Sequence, residues 1–304
     1  MQFWSDEREL APSRENRGLH MDSMDKINSE VRESEELDLP TNHPGLNDTA
    51  YLRRRRMFFY LAREHRLREI ASPVLEYTPA EALLWRETYL ELDELHHRCA
   101  SSLFMEGKRA LGLSSGEIPQ LSRLEPHLSK TTGVRLVPAE GLLHGKIYFE
   151  YWAERIMPCT QFLRHHAQPQ YTPEPDIIHD VIGHVPPLMN ADYVQLIERI
   201  GTAARGASPE KLDRIVRFYW FSVEFGLVEE QGQLRILGAG ILSSIQETKN
   251  VLAGKPELRK FDVEEIINRT FDTTHLQPVL YVAPNLRTIV DAARVILGDE
   301  SPVP

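Results

Sequence analysis

His179 and His184 stand five residues apart in PDIIHDVIGHVPP, and Glu224 follows forty residues later inside the apolar run FYWFSVEFGLV. Two imidazoles and one carboxylate hold a metal from one side and leave coordination positions open, an arrangement that suits non-haem iron(II) and dioxygen. In the zinc-protease motif the histidines lie one helical turn apart and the intervening glutamate acts as base. Here the second histidine comes one position late, which disfavours a hydrolase. On an ideal helix, residues five apart point about 140° away from each other. The spacing therefore predicts that the helix stops between them: Gly183 supplies a left-handed end and Pro186-Pro187 prevents resumption, so that His184 folds back beside His179. Glu224 has Phe218, Tyr219, Trp220, Phe221, Val223, Phe225 and Leu227 around it on every helical face, so its carboxylate is expected to be buried. An unpaired charge there is very costly. A cation is the simplest partner, and an arginine ion pair is the alternative.

These groups must be carried by helices. Thr78-Pro79-Ala80-Glu81 reads as a capping box with proline at the first helical position. Ala82, Trp85, Tyr89, Leu92, Cys99 and Leu103 follow on one face, predicting a long amphipathic helix that ends near Gly107. His96 and His97 ride on it and are read as surface or packing residues. Residues 120–136, broken by Pro126 and Gly133, read as a short helix and a turn leading to a strand at 134–137. Helices are expected over 149–155, 191–207, 209–227 and 244–253, with a short strand over 233–237. The expected architecture is mainly α: a single catalytic domain of packed helices, residues 39–298, with a small amount of β-structure. A flexible N-terminal tail over 1–38 and a short tail over 299–304 flank it.

Bulk properties narrow the function. With 304 residues, 41% of them hydrophobic, the chain can bury a sizeable core. A formal charge of −10 argues against nucleic-acid or anionic-membrane surfaces, which need concentrated positive charge. The sole basic cluster, residues 53–56, runs into Met57, Phe58 and Phe59 and is read as an exposed helix face. Two cysteines, Cys99 and Cys159, exclude a disulfide scaffold and suit a reducing compartment. There is neither a twenty-residue apolar stretch nor a signal-like N-terminus, so a cytoplasmic protein is expected.

Three blocks in register, YTPEPDIIHDVIGHVPP, YWFSVEFGLV and GAGILSSIQE, closely resemble the pterin-dependent aromatic amino acid hydroxylases, most of all the phenylalanine 4-hydroxylases. CTQFLRH and NHPGLNDTAYLRRRR are similar to the short bacterial members. The resemblance implies iron(II) held by His179, His184 and Glu224, and a tetrahydropterin that supplies two electrons to dioxygen while the ring of an amino acid is hydroxylated. It implies that Arg164 and Thr172 bind the substrate carboxylate and that Trp220 walls the substrate pocket, favouring phenylalanine over tryptophan. Asp176 and Ser243 are implied as supports of the ligands, with backbone capping as their alternative role, and Ser243 is placed beside the substrate as well. On the pterin side it implies stacking on Tyr148, backbone contacts from Gly141 and Leu143, and an acid, Asp180, able to reach the ring.

The pterin segment departs from the family pattern. Where relatives typically read SPRDF, this chain has HGKIY: His144, Gly145, Lys146 and Ile147 replace the first four residues, and Asp180 replaces a glutamate. Pterin dependence is expected to persist, with altered cofactor affinity or reaction position. The family's animal members carry an N-terminal regulatory domain and a C-terminal assembly helix. This chain has room for neither, so a monomer or weak dimer without that allosteric control is expected. The alternatives left open are a phenylalanine 3-hydroxylase or tryptophan 5-hydroxylase of the same family, a zinc hydrolase using Asp180 as base, and a non-catalytic metal-binding protein.

Overall fold

Apolar residues at helical spacing wind most of the chain into helices, and their caps are largely those written in the sequence. The computed structural model describes residues 37, 39, 41, 43–143, 145–170, 172 and 174–297. The expected tails, apart from Leu37, and His144 and Gly298 lie outside the described residues. Helix α1 (Thr49–Arg68) opens on Asp48, which accepts from the Ala50 and Tyr51 amides. Helix α2 (Pro79–Cys99) begins with the expected capping box of Thr78 and Glu81 but ends before Gly107. The chain turns extended at Ala100, which pairs with Ile236, and Ser101 caps a new helix, α3 (Ser102–Ala110).

Helix α4 (Leu121–Thr132) runs through Pro126, contrary to the expected break, and stops at Gly133 with φ 75°. Proline inside a helix costs about 3 kcal/mol, whereas burying Leu121, Leu124 and Leu128 returns about 1.5–3 kcal/mol for each side chain, so packing wins. Strand β1 (Arg135–Pro138), helix α5 (Gly145–Ala153) and strand β2 (Ile156–Cys159) form a parallel crossover, Arg135 opposite Ile156. Helix α5 starts four residues before the expected 149.

Two stretches are π-helices, Ile178–His184 and Trp220–Glu224. The first continues into a 3-10 turn over Pro186–Met189. The second terminates α7 (Pro209–Tyr219), which follows α6 (Ala191–Ala204). The helix expected over 209–227 is thus two windings in series, and Leu227 already belongs to a strand. Beyond it come the β3 (Leu227–Glu230) and β4 (Gln233–Ile236) hairpin, α8 (Ala239–Leu242), α9 (Ile245–Leu252), β5 (Glu257–Lys260), α10 (Val263–Asn268), β6 (Val279–Ala283) and α11 (Leu286–Leu297). The second sheet has the order β4-β3-β6-β5, antiparallel only at the hairpin. Helix α6 is central, packed on α5, α7 and α11. The architecture is mainly α with two small sheets, as expected. Cys99 and Cys159 are both free and buried.

The basic cluster at 53–56 is exposed only at Arg53. Arg55 is buried with its guanidinium over the Phe162 ring and ion-paired to Glu174, which His43 also approaches at 3.3 Å. Arg54 forks onto Glu81 at 2.8 and 2.9 Å. Neutralisation by these carboxylates is what lets Arg54 and Arg55 turn inward.

Between β4 and α8 the chain crosses the backbone of Glu224 so closely that a Cβ on Gly238 would lie 2.3 Å from the Glu224 carbonyl oxygen. Gly238 has φ −69°, so the requirement is space, not conformation. Gly238→Ala is expected to destabilise the fold by about 1–3 kcal/mol through overpacking, measured by urea denaturation, and to weaken metal binding in a titration of the folded variant.

Candidate metal centre

The i→i+5 hydrogen bond of a π-helix brings residues five apart onto one face, and this is how His179 and His184 meet. The Val185 amide donates to the Asp180 carbonyl at 3.2 Å across the widened turn. The expected helix stop at Gly183 is therefore corrected. Gly183 is absent from the left-handed glycines, and its role is contact, since a Cβ there would stand 2.8 Å from the Ala239 carbonyl oxygen. Buried Ile178, Val181 and Ile182 anchor the opposite side of this helix. The second π-helix presents Glu224 by the same device, with the Phe225 amide on the Trp220 carbonyl at 2.8 Å.

The three side chains converge. His184 Nε2 lies 3.1 Å from His179 Nε2 and 3.1 Å from Glu224 Oε1, and His179 Nε2 lies 3.8 Å from Glu224 Oε2. Donors about 2.1 Å from one ion and mutually at right angles stand about 3 Å apart, so the set fits a metal on one face. Burial alone would push the Glu224 carboxyl up, but the His184 and His179 imidazoles more than offset it and hold it near 2. Burial lowers His179 to about 4. It also acts against the charged form of His184, where Glu224 prevails and the net shift is upward. No arginine is paired with Glu224 among the described residues.

Ser243 sets the tautomer of His179. Its Oγ donates to the Ala239 carbonyl at 2.8 Å and lies 3.0 Å from His179 Nδ1, so Nδ1 carries the proton and Nε2 keeps its lone pair for a metal. Asp176 does not touch either imidazole ring. It accepts from the His179 amide at 3.0 Å and grips Arg164 through Nε at 2.9 Å and Nη2 at 2.8 Å, so its contact with His179 is the capping alternative. Helix α9 is capped by Ser244, not Ser243. One further group was missed in the sequence: Tyr219, whose hydroxyl donates to Glu224 Oε1. It stands five residues before Glu224, the π-helical repeat, a signal concealed because it was counted only among apolar neighbours.

Arg164 is buried, and its fork is occupied on the protein side. Nη1 reaches the Pro169 and Ser243 carbonyls at 3.3 and 3.4 Å, longer than the Asp176 bonds. Among the described residues, Thr172 Oγ1 is buried without a hydrogen-bond partner. Trp220 is clamped by its neighbours. Phe271 stacks on it at 4.2 Å and 10°, Phe225 lies at 4.6 Å, and Nε1 donates to Gln277 Oε1 at 3.1 Å. The Gln277 amide in turn donates to Glu247 Oε1 at 3.0 Å, and burial pushes the Glu247 carboxyl up to about 7.

On the opposite side, Tyr148 is half-buried. Its ring lies 5.0 Å from Trp152, and its hydroxyl donates to Met157 Sδ at 3.9 Å. Asp180 Oδ2 is held by both the Thr160 amide and hydroxyl at 2.7 Å, and burial raises its carboxyl to about 7 despite those bonds. An Asp180 tethered to Thr160 is poorly placed to serve as the base of a zinc hydrolase. Gly141 adopts φ 156° with open space beside it, Leu143 is half-buried, and Lys146 is exposed.

The fold and the site together define a helical protein with a facial two-histidine, one-carboxylate donor set. The family described as biopterin-dependent aromatic amino acid hydroxylase matches residues 18–296, and the chain belongs to it. Tyrosine 3-monooxygenase of Mus musculus is 36% identical over 261 residues, 84% of this chain and 52% of that protein. The chloroplastic phenylalanine 4-monooxygenase of Pinus taeda is 37% identical over 225 residues, 74% and 63% of the two chains. The crystal structure of Chromobacterium violaceum phenylalanine hydroxylase, with bound iron(III) and 7,8-dihydrobiopterin, matches with a TM-score of 0.71 and 31% identity over 77% of this chain and 87% of that one. The chain spans about half the length of the tyrosine 3-monooxygenase it matches.

Ser243→Ala removes the acceptor of His179 Nδ1 and is expected to lower metal affinity by about 10–100-fold, read by metal titration. Glu247 gives a stability signature. Its folded-state value near 7 lies above the ordinary 4.5, so the folded state favours the protonated form and stability is lost as pH rises from about 4.5 through 7. Denaturation curves should show wild type losing up to about 3 kcal/mol more than Glu247→Gln across that window.

Proposed function

We propose that this chain is an iron(II)- and tetrahydropterin-dependent monooxygenase that hydroxylates the ring of a free aromatic L-amino acid, phenylalanine to tyrosine foremost. The convergence of His179, His184 and Glu224, with their donor atoms all within 4.8 Å of one another, carries the reading, and membership of the family supports it. Bound iron(II) and reduced pterin supply the chemistry, delivering one oxygen atom of dioxygen to the ring and the other to the pterin.

The residues do the positioning. His179 and His184, as neutral imidazoles, and Glu224, as a carboxylate, hold the ion from one side. Arg164 and Thr172 take the amino acid carboxylate, which fixes the ring's distance from the metal. Trp220, rigid between Phe271 and Phe225, forms the ring wall and keeps water out. Ser243 acts through His179, and Asp176 aligns Arg164. Tyr148, Gly141 and Leu143 border the pterin, with Asp180 beside them on its Thr160 tether. In this reading the protein works in the cytoplasm as a monomer or weak dimer. No helix among the described residues is long and apolar enough to cross a membrane.

The test is tetrahydropterin oxidation with iron(II) and a mixture of phenylalanine, tyrosine and tryptophan, with products identified by mass spectrometry and NMR. Tyrosine formed from phenylalanine in step with pterin oxidation is the expected result. A meta-hydroxylated or indole product would move the assignment to the sister reactions, and no coupled product from any aromatic amino acid would refute it.

A further inference from the structure

A buried polar cluster on α2 and α3 reaches the carbonyl of Leu242, and no step described so far uses it. His96 on α2 and Lys108 on α3 are 1% and 4% exposed. His96 Nε2 lies 2.7 Å from the carbonyl oxygen of Leu242, 146 positions along the chain. A carbonyl only accepts, so Nε2 carries the proton. The other ring nitrogen, Nδ1, faces the Lys108 ammonium at 3.1 Å, and an ammonium only donates. Lys108 is itself held by Asp93 Oδ1 at 2.6 Å and lies over the Tyr89 ring at 4.5 Å. Burial, aided by Lys108, keeps the imidazole neutral, with its titration displaced to about 3. Were the tautomer reversed, a bare nitrogen would face the Leu242 oxygen and an N–H would face the ammonium, both repulsive.

The carbonyl that His96 grips belongs to the residue immediately before Ser243. Ser243 Oγ receives His179 Nδ1 at 3.0 Å, and its carbonyl accepts from Arg164 at 3.3 Å. Further side-chain holds on this turn run from Thr248 Oγ1 to the Ile241 carbonyl at 2.7 Å and from Ser244 Oγ to the Gln170 carbonyl at 3.4 Å. We infer that His96 is a positioning residue for the metal ligand His179: Lys108 sets the His96 tautomer, and His96 pins the Leu242–Ser243 peptide so that Ser243 presents its hydroxyl to His179. The inference rests on the metal reading of His179, His184 and Glu224.

The test is cobalt(II) titration of the full chain followed by absorption spectroscopy, which reports ligand geometry without turnover. His96→Leu and Lys108→Met are expected to bind cobalt(II) about tenfold more weakly, with a shifted ligand-field band. His96→Gln, whose amide can donate to Leu242 and accept from Lys108, should return to near wild-type affinity. Leu128→Ala, in the core on α4, serves as a control for loss of stability alone. If His96→Leu fails to fold, Lys108→Met decides the matter. Wild-type affinity and spectrum in the folded relay variants, or a loss no larger than in Leu128→Ala, would overturn the relay. A wild-type chain that binds no cobalt(II) would overturn the metal reading, and the relay with it.

Discussion

Glu224 places a carboxylate at 6% exposure inside one of the most aromatic stretches of the chain. Removing such a charge from water without partners costs several kcal/mol after relaxation, more than any single apolar contact nearby returns. The surroundings are organised to answer that cost. Tyr219 donates to one oxygen, and His184 and His179 flank the carboxylate. A carboxylate with fewer partners would protonate and lose its value as a ligand. The aromatic shell that makes the charge expensive also keeps the site dry, which strengthens every electrostatic contact within it.

The turn containing Ser243 joins the two halves of the centre. Its hydroxyl faces a metal-ligand imidazole and its carbonyl faces the Arg164 fork, while Asp176 connects that fork to the His179 amide. A displacement of this turn therefore disturbs the His179 imidazole and the Arg164 fork together. The Asp176–Arg164 pair is buried on both sides, and the guanidinium outweighs burial to hold the Asp176 carboxyl below its usual range.

Much of this was legible before any coordinates. The helical class, the capping box at Thr78, the β1 and β4 strands and the convergent triad all follow from residue type and spacing. What escaped has a common cause in tertiary context. Pro126 reads as a break because the gain from three buried leucines cannot be seen locally. Arg55 reads as solvent-facing because Glu174 lies 119 positions away. The winding around His179 is hidden because an α-helical wheel admits no i→i+5 repeat, and the same wheel keeps Tyr219 apart from Glu224. The local rules named the participants correctly but not the register that unites them.

The two π-helices also bear on how the centre meets its ion. A π turn is an uncommon winding that persists only where surrounding structure dictates it, and here the buried side chains of Ile178, Val181, Ile182, Phe221 and Val223 dictate it. The donors are thus gathered by the hydrophobic core rather than by the ion. In a zinc finger the metal must fold the chain that binds it; here the windings that carry the donors are themselves packed into the hydrophobic core.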